Sequence, residues 1–248
     1  MKLFVHQLRG EQLIFWRSRE AAVFVFLFPI LLFLLLGAVY NGTINGHPAP
    51  DVLLAGMLGY GCATTAFAGL AIILVIRRES GVLKRVRATP LPPVTYLTAV
   101  LASTLLVFAL QAVCLVVIGR AFYHAHVPTN VGSLILALAL GAAAFAALGV
   151  AVAGLIRSAE GSSAVVNTIV LPMAFISGSF GPTRHYPGFL RALAAVLPLK
   201  YVIELVNAIY LAQHQVWSRP GAIGVVAAWG AAGLAIALRA FRWEPKER

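Results

Sequence analysis

The chain has 248 residues, of which 60% are hydrophobic and only 11% are charged, and its formal net charge is +11. A soluble domain usually has about a quarter charged residues, and one this apolar would expose large hydrophobic patches. The composition therefore excludes an ordinary soluble protein and indicates a membrane protein. The basic residues lie between apolar runs, which is typical of membrane topology signals and argues against nucleic-acid binding.

Residues 1–20 mix apolar, aromatic and basic side chains ahead of the first long apolar run. This pattern predicts an amphipathic helix over 3–18 that lies on the inner surface of the membrane. The aromatic pair Phe15 and Trp16 suits the lipid headgroup boundary. The alternative is a flexible basic leader; a cleavable signal peptide is not expected.

Six apolar stretches without Asp, Glu, Lys or Arg follow, and each is close to the roughly 20 residues that a helix needs to cross a bilayer. A charge at the centre of a span would cost about 2.5–3.5 kcal/mol. The sequence thus predicts an all-α membrane protein forming a single transmembrane domain over 1–248. The predicted spans are 21–40, 52–76, 94–119, 131–156, 161–180 and 221–238.

The distribution of Lys and Arg predicts the orientation of these spans. Four basic residues precede the first span, five lie in the loop at 77–93, one lies in the turn at 157–160 and four lie after the last span. The loop at 41–51 has none, the loop at 120–130 has one and the segment at 181–220 has four. Because basic loops stay in the cytoplasm, both ends are predicted to be cytoplasmic.

Two connecting segments have structure of their own. The stretch from Arg77 to Ala88 is compatible with a helix apart from Gly81, and the prolines that follow stop it. We expect a short cytoplasmic helix there, within the loop at 77–93. The outer segment at 181–220 is too apolar for a free loop. Its part from Pro187 to Leu197 predicts a re-entrant helix, followed by an amphipathic piece from Tyr201 to Leu211.

The fourth span is rich in Gly and Ala between Gly141 and Gly149. Small residues allow helices to approach closely. They indicate packing inside the bundle, with a dimer seam as the less favoured alternative.

Two motifs carry a resemblance that covers essentially the whole chain. The run from Arg78 to Pro90, RESGVLKRVRATP, resembles the cytoplasmic loop of the permease subunits of type-2 ABC exporters. The second match comprises Leu171-Pro172, Ser177 to Phe180, Pro187, and Leu197 to Tyr201 with Glu204. The small daunorubicin-type drug-resistance permeases are most similar. Val82 departs from the usual Thr or Ser, and Asn207 and Ala208 stand where the family usually has an Arg.

The resemblance implies a separate ATPase subunit, because the chain has no GxxxxGK[ST] phosphate loop. ATP and Mg²⁺ would belong to that subunit, and this chain is expected to have no cofactor, no metal site and no catalytic residue. Six helices form half a transporter, so the resemblance also implies a second permease, either a copy or a sister chain. The location it implies is the bacterial inner membrane, in contact with lipid.

The loop at 77–93 would act as a coupling helix that docks the ATPase. The alternative is that its charges only retain the loop in the cytoplasm and contact lipid headgroups. The turn at 157–160 is a second contact, or simply a solvated turn. The docking residues implied are Arg77, Arg78, Glu79, Gly81, Leu83, Lys84, Arg85, Arg87 and Pro90, with Arg157 and Glu160 in the second contact.

The resemblance places the substrate pathway at the dimer interface, along the first, second and fifth spans. Pro172 is expected to kink the fifth span, while single Phe residues also have an ordinary packing explanation. Glu204 follows Lys200 by four residues and is expected to pair with it, or else to act on substrate or in gating. The pathway candidates are Phe24, Phe28, Asn167, Pro172, Met173, Phe175, Phe180 and Glu204.

Three functions fit the sequence. The leading one is an ATP-driven ABC exporter permease for an amphipathic or hydrophobic, drug-like compound (multidrug efflux). The second keeps the architecture but exports a lipid or lipid-linked glycan, although the spans offer little polar lining for a glycan. The third is a membrane scaffold without transport; an intramembrane enzyme is disfavoured because paired ionisable residues are lacking in the spans.

Overall fold

The computed structural model describes residues 1–40, 42–44, 46–184, 186–241 and 243. The predicted tail charges Arg242, Lys246 and Arg248 lie outside these residues. The described elements are α1 (Lys2–Arg17), α2 (Arg19–Val39), an antiparallel pair β1 (Thr43–Ile44) and β2 (His47–Pro48), α3 (Ala49–Gly61), a π-helical segment (Cys62–Gly69), α4 (Leu70–Glu79), α5 (Val82–Arg87), α6 (Pro93–Tyr123), α7 (Val131–Leu155), α8 (Ser162–Ser177), α9 (Gly188–Ala194), α10 (Pro198–Tyr210), a 3₁₀ turn (Val216–Ser218) and α11 (Pro220–Ala240).

Five helical stretches in the described part of the chain are long and apolar enough to cross a membrane. They are α2, the continuous helix Ala49–Glu79 (α3, the π-helical segment and α4, together called the second span), α6, α7 and α11. A bent helix pair raises the number to six if it counts as one span. The prediction of an all-α, multi-pass membrane protein is confirmed.

The predicted fifth span, 161–180, is shorter in the structure than expected. Helix α8 has 16 residues, which is about 24 Å against a hydrocarbon core of about 30 Å. It ends because Gly178 adopts a left-handed conformation with φ 86°, as is common at helix C-termini. The chain then passes close to the second span, where a Cβ on Gly56 would lie 2.4 Å from the carbonyl oxygen of Ser179.

Two helices occupy the predicted re-entrant segment, and they meet at an angle of 83°. Helix α10 begins earlier than expected, at Pro198 instead of Tyr201, because proline suits the first turn of a helix. Val202, Val206 and Ile209 of α10 are buried. A Cβ on Gly59 would lie 2.5 Å from Ile203 Cγ1, so α10 packs directly on the second span.

The small residues of α7 pack inside the bundle. A Cβ on Gly149 would lie 2.8 Å from the carbonyl oxygen of Phe67, and one on Gly233 of α11 would lie 2.8 Å from the backbone nitrogen of Leu148. Such close backbone contacts leave no room for larger side chains. The structure therefore uses these glycines for internal packing, the favoured interpretation of the sequence.

Segments predicted for the same side of the membrane meet at the same end of the bundle. At one end, Arg77 contacts α1 and the start of α6 through Glu11 and Tyr96. At the other end, the loop after α6 contacts both α3 and α10 through His126, which bonds to Asp51 and Tyr210. The contacts thus group the connecting segments at two ends of the bundle in the way that the predicted order of spans requires.

Candidate functional site

Two consecutive arginines end the second span, and both are turned inward. Arg77 is 9% exposed. Its Nη2 donates to Glu11 Oε2 of α1 at 2.6 Å, and its Nη1 donates to Tyr96 Oη of α6 at 2.8 Å. Glu11 is itself 5% exposed and accepts a second bond from Gln7 Nε2 at 2.8 Å. A charge-assisted contact with this burial ties α1 firmly to the second span.

Arg78 binds the end of α7 instead of α1. Its side chain is 1% exposed, and its Nη1 and Nη2 donate to the carbonyl oxygens of Ala153 at 2.8 Å and Ile156 at 2.7 Å. The last carbonyls of a helix lack partners inside the helix, so the guanidinium caps the end of α7. Its Nε donates to Glu79 Oε1 at 3.0 Å, which offsets the buried charge.

The predicted coupling helix is broken. Instead of one helix from Arg77 to Ala88, the second span continues to Glu79 and a separate six-residue helix, α5, follows. The break lies at Gly81, whose φ of 71° is left-handed and suits glycine. The polar residues 77–79 thus belong to the span itself.

The structure separates the predicted docking residues into buried, half-buried and exposed members. Arg77, Arg78 and Leu83 are buried, because the first two bind neighbouring helices and the third packs α5 against the core. Their burial gives these three residues contacts inside the permease, and their role in docking a partner stays a prediction. Gly81 and Glu79 are half-buried, and the exposed members are Lys84, Arg85, Arg87 and Pro90.

The second predicted contact, the turn at 157–160, directly follows the carbonyl that Arg78 binds. Arg157 and Glu160 are both exposed. Because Arg78 holds Ile156, the turn has a defined position relative to the second span and the short helix α5.

A polar contact inside the bundle joins the first three spans. Pro29 has no N–H, so the carbonyl of Val25, four residues earlier, loses its helical partner. Gln111 of α6 donates to this carbonyl from Nε2 at 2.8 Å and accepts from Thr65 Oγ1 at 2.9 Å with Oε1. Gln111 is 1% exposed and Thr65 is 6% exposed. Thr65 belongs to the π-helical segment, and such segments are frequent at functional sites.

Sequence reasoning missed Gln111 because it counted only charged residues in the spans. The available signal was a lone amide in an apolar stretch, with a proline in another span. The three-way contact itself is visible only in the tertiary structure.

We expect Gln111→Leu to lower the stability of the folded protein by about 1–3 kcal/mol, because the Val25 carbonyl and the Thr65 hydroxyl lose their partner. The measurement is thermal unfolding of the purified full chain in mild detergent. Leu110→Ala, at an exposed neighbour, is the control and should leave the transition nearly unchanged. Equal effects of the two substitutions would contradict a structural role of the amide.

The pathway candidates fall into two groups. On α2, Phe24 and Phe28 are exposed and stack with ring centroids 5.2 Å apart. At the end of α8, the ring centroids of Phe175 and Phe180 are 4.6 Å apart, and those of Phe180 and Tyr60 are 5.1 Å apart.

On α8 itself, Asn167 and Pro172 are exposed, whereas Met173 is buried. The helix continues through Pro172 to Ser177. An exposed amide within an apolar helix is costly against lipid, so Asn167 stays a candidate for the substrate pathway.

Glu204 does not pair with Lys200. Its Oε1 accepts from Arg219 Nη1 at 3.3 Å, and both side chains are substantially exposed. Lys200 Nζ instead lies over the Tyr201 ring at 5.6 Å. The chain folds back after α10 and brings Arg219 to Glu204, a contact that helical spacing does not predict.

His126, in the loop after α6, makes a structural contact with Asp51. His126 Nδ1 lies 2.7 Å from Asp51 Oδ2, and the backbone N–H of His126 donates to Asp51 Oδ1 at 3.0 Å. Within the described residues, no group of three or more His, Cys, Asp or Glu side chains is placed to hold a metal ion.

A comparison with protein-family models shows the family of this chain. The family model described as ABC-2 type transporter matches residues 3–211, from α1 to the end of α10. The chain belongs to the ABC-2 type transporter family. No curated protein matches it. As an ABC-2 permease, it is the membrane subunit of an ABC transporter and not itself the ATPase, and permeases of this family normally pair with an ABC ATPase.

Proposed function

We propose that this ABC-2 permease is the membrane subunit of an ATP-driven exporter in the bacterial inner membrane, of the daunorubicin type, that moves amphipathic or hydrophobic compounds outward. In this proposal the N- and C-terminal ends of the chain lie in the cytoplasm. A second permease, a copy or a sister chain, completes the pathway.

The single observation that carries the proposal is the pair of buried arginines at the end of the second span. Arg77 joins the span to α1, and Arg78 joins it to α7. A force applied to the adjoining helix α5 would therefore reach both α1 and α7 through short charge-assisted bonds. This is the arrangement that a permease needs to convert movement of a docked ATPase into rearrangement of its spans.

The docking surface in this proposal comprises the exposed Lys84 and Arg85 of α5 and Pro90 after it, together with the exposed Arg157 and Glu160 of the turn at 157–160. Its basic side chains suit an acidic groove on the partner. Arg77 and Arg78 then act as transmitters behind this surface rather than as contacts.

The exposed face of α8 supports an apolar cargo. Val165, Ile169, Leu171 and Phe175 are exposed there, and Asn167 supplies one polar group. A pathway for a glycan would need many hydroxyl or amide groups, whereas aromatic and aliphatic side chains accept varied apolar ligands.

The proposed docking surface can be tested by co-purification from native membranes. We expect an ABC ATPase chain to accompany the wild-type permease and to be lost from a Lys84→Glu, Arg85→Glu variant, because charge reversal turns attraction into repulsion. Arg191→Glu, at an exposed arginine of α9, is the matched control and should retain the ATPase.

An ATPase that stays with the Lys84→Glu, Arg85→Glu variant would refute this docking surface. If the folded wild-type permease brings down no ATPase, the assembly proposed here fails. Cargo is tested separately, by efflux of a hydrophobic dye from cells that express the permease with its ATPase.

A further inference from the structure

A cavity of about 350 Å³ lies beneath the N-terminal helix, within the range of about 300–1,000 Å³ typical of ligand pockets. Its walls are formed by the end of α1, the start of α2, residues 65–77 of the second span, and α6. Most of the lining is aliphatic or aromatic, including Phe15, Val25, Ile73, Val100 and Val107.

The cavity is closed at the back and open at one side. Val100 and Val107 of α6 form a back wall that is 3% and 4% exposed. Ile14, Ala21 and Ile76 also line it and are exposed. They place its mouth between the corner that joins α1 to α2 and the helix α4.

The length of the cavity matches one leaflet of a bilayer. Its lining on the second span extends from Thr65 to Arg77, which is about 18 Å at 1.5 Å per residue. Half of a hydrocarbon core of about 30 Å is about 15 Å. A ligand that fills it would therefore be long and apolar, like an acyl chain that points from the membrane surface to the midplane.

The charges near the mouth indicate what the other end of the ligand would be. Glu11 and Arg77 line the cavity but neutralise each other. Ser18 lies at the rim, flanked by the exposed Arg17 and Arg19. Both arginines are exposed chain neighbours of a cavity-lining serine, and long guanidinium side chains at such positions suit an anionic phosphate group at the mouth.

We propose that this cavity binds one anionic phospholipid of the cytoplasmic leaflet, with an acyl chain in the slot and its phosphate at Arg17 and Arg19. The lipid would be resident: it fills the space under α1 and is not the exported compound. The proposal is independent of what the transporter exports.

The test uses the full-length permease purified with its ATPase, incubated with mixed phosphatidylglycerol and phosphatidylcholine, and analysed by native mass spectrometry. We expect wild type to retain phosphatidylglycerol in preference to phosphatidylcholine. The Val107→Phe variant should retain about tenfold less phosphatidylglycerol. The added ring would exclude roughly two methylene groups of the acyl chain from the cavity, which accounts for a loss of that size. Val113→Phe, on the exposed face of the same helix, should retain as much as wild type.

Ala21→Trp gives a second blocking variant at the exposed mouth, where a large side chain does not disturb the core. It should also lose the lipid, and Arg17→Gln with Arg19→Gln should abolish the preference for phosphatidylglycerol. Equal retention by wild type and both blocking variants would overturn the site, as would equal loss in Val113→Phe.

Lipid retention during ATP hydrolysis distinguishes a resident lipid from an exported one. We expect the bound phosphatidylglycerol to stay when ATP is hydrolysed and when turnover is trapped with vanadate. Release on turnover would identify the cavity as a loading site for cargo and would overturn the proposal of a resident lipid.

Discussion

Replacing Arg78 with alanine is expected to destabilise the permease by about 3 kcal/mol, because the carbonyls of Ala153 and Ile156 lose charged donors in a buried place. At this chain length that corresponds to a fall of about 6–12 °C in the apparent melting temperature. The measurement is thermal unfolding in mild detergent, followed by size-exclusion chromatography of the heated samples.

Two further substitutions define what the Arg78 side chain contributes. Arg78→Lys keeps the charge but lacks the planar fork that reaches both carbonyls and Glu79 at once, so it should recover less than half of the loss. Arg85→Ala removes an exposed arginine of the neighbouring helix α5 and should change the melting temperature by less than about 2 °C. A stable Arg78→Ala protein would show that α7 does not need this cap.

The second large effect is expected at the link between α1 and the second span. Glu11→Ala leaves the Arg77 guanidinium buried without its carboxylate, and removal of one partner of a buried pair costs about 3–5 kcal/mol. Arg77→Ala should cost a similar amount because it strands Glu11. The double variant should be less destabilised than the sum of the single variants by about 1–3 kcal/mol.

The double-mutant cycle is measured by thermal unfolding, with Glu20→Ala as a control at an exposed carboxylate of α2. Additive effects of Glu11→Ala and Arg77→Ala would contradict a direct energetic link. In the assembled transporter, we expect the Glu11→Ala permease to bind the ATPase but to export less per ATP hydrolysed, because α1 no longer follows the second span.

The two contacts tie consecutive residues of one helix to neighbours on different sides of it. The side chains of Arg77 and Arg78 leave the second span in different directions, toward α1 and α7 respectively. In the proposed function, a short displacement of the loop that follows would reach both sides of the bundle. The exposed residues of that loop are Lys84, Arg85, Arg87 and Pro90.

The amino-acid sequence was enough to predict the membrane architecture and the family. A bilayer demands long apolar helices, and charged residues are excluded from their centres, so the spans stand out without knowledge of any contact. The bounds predicted for α7, 131–156, differ from Val131–Leu155 by a single residue. The two motifs, from Arg78 to Pro90 and from Leu171 to Glu204, together predicted the family that the comparison shows.

Which polar residues are exposed and which hold the bundle together depends on the packing of the helices. Arg78 and Arg85 look alike in the sequence, yet one is buried against α7 and the other is exposed, because burial depends on neighbours that are distant along the chain. The same holds for Gln111, whose partners lie 86 and 46 residues away, and for Glu204, which pairs with Arg219 rather than Lys200. Local spacing determines the helices, whereas the partners of polar side chains are set by how the helices pack.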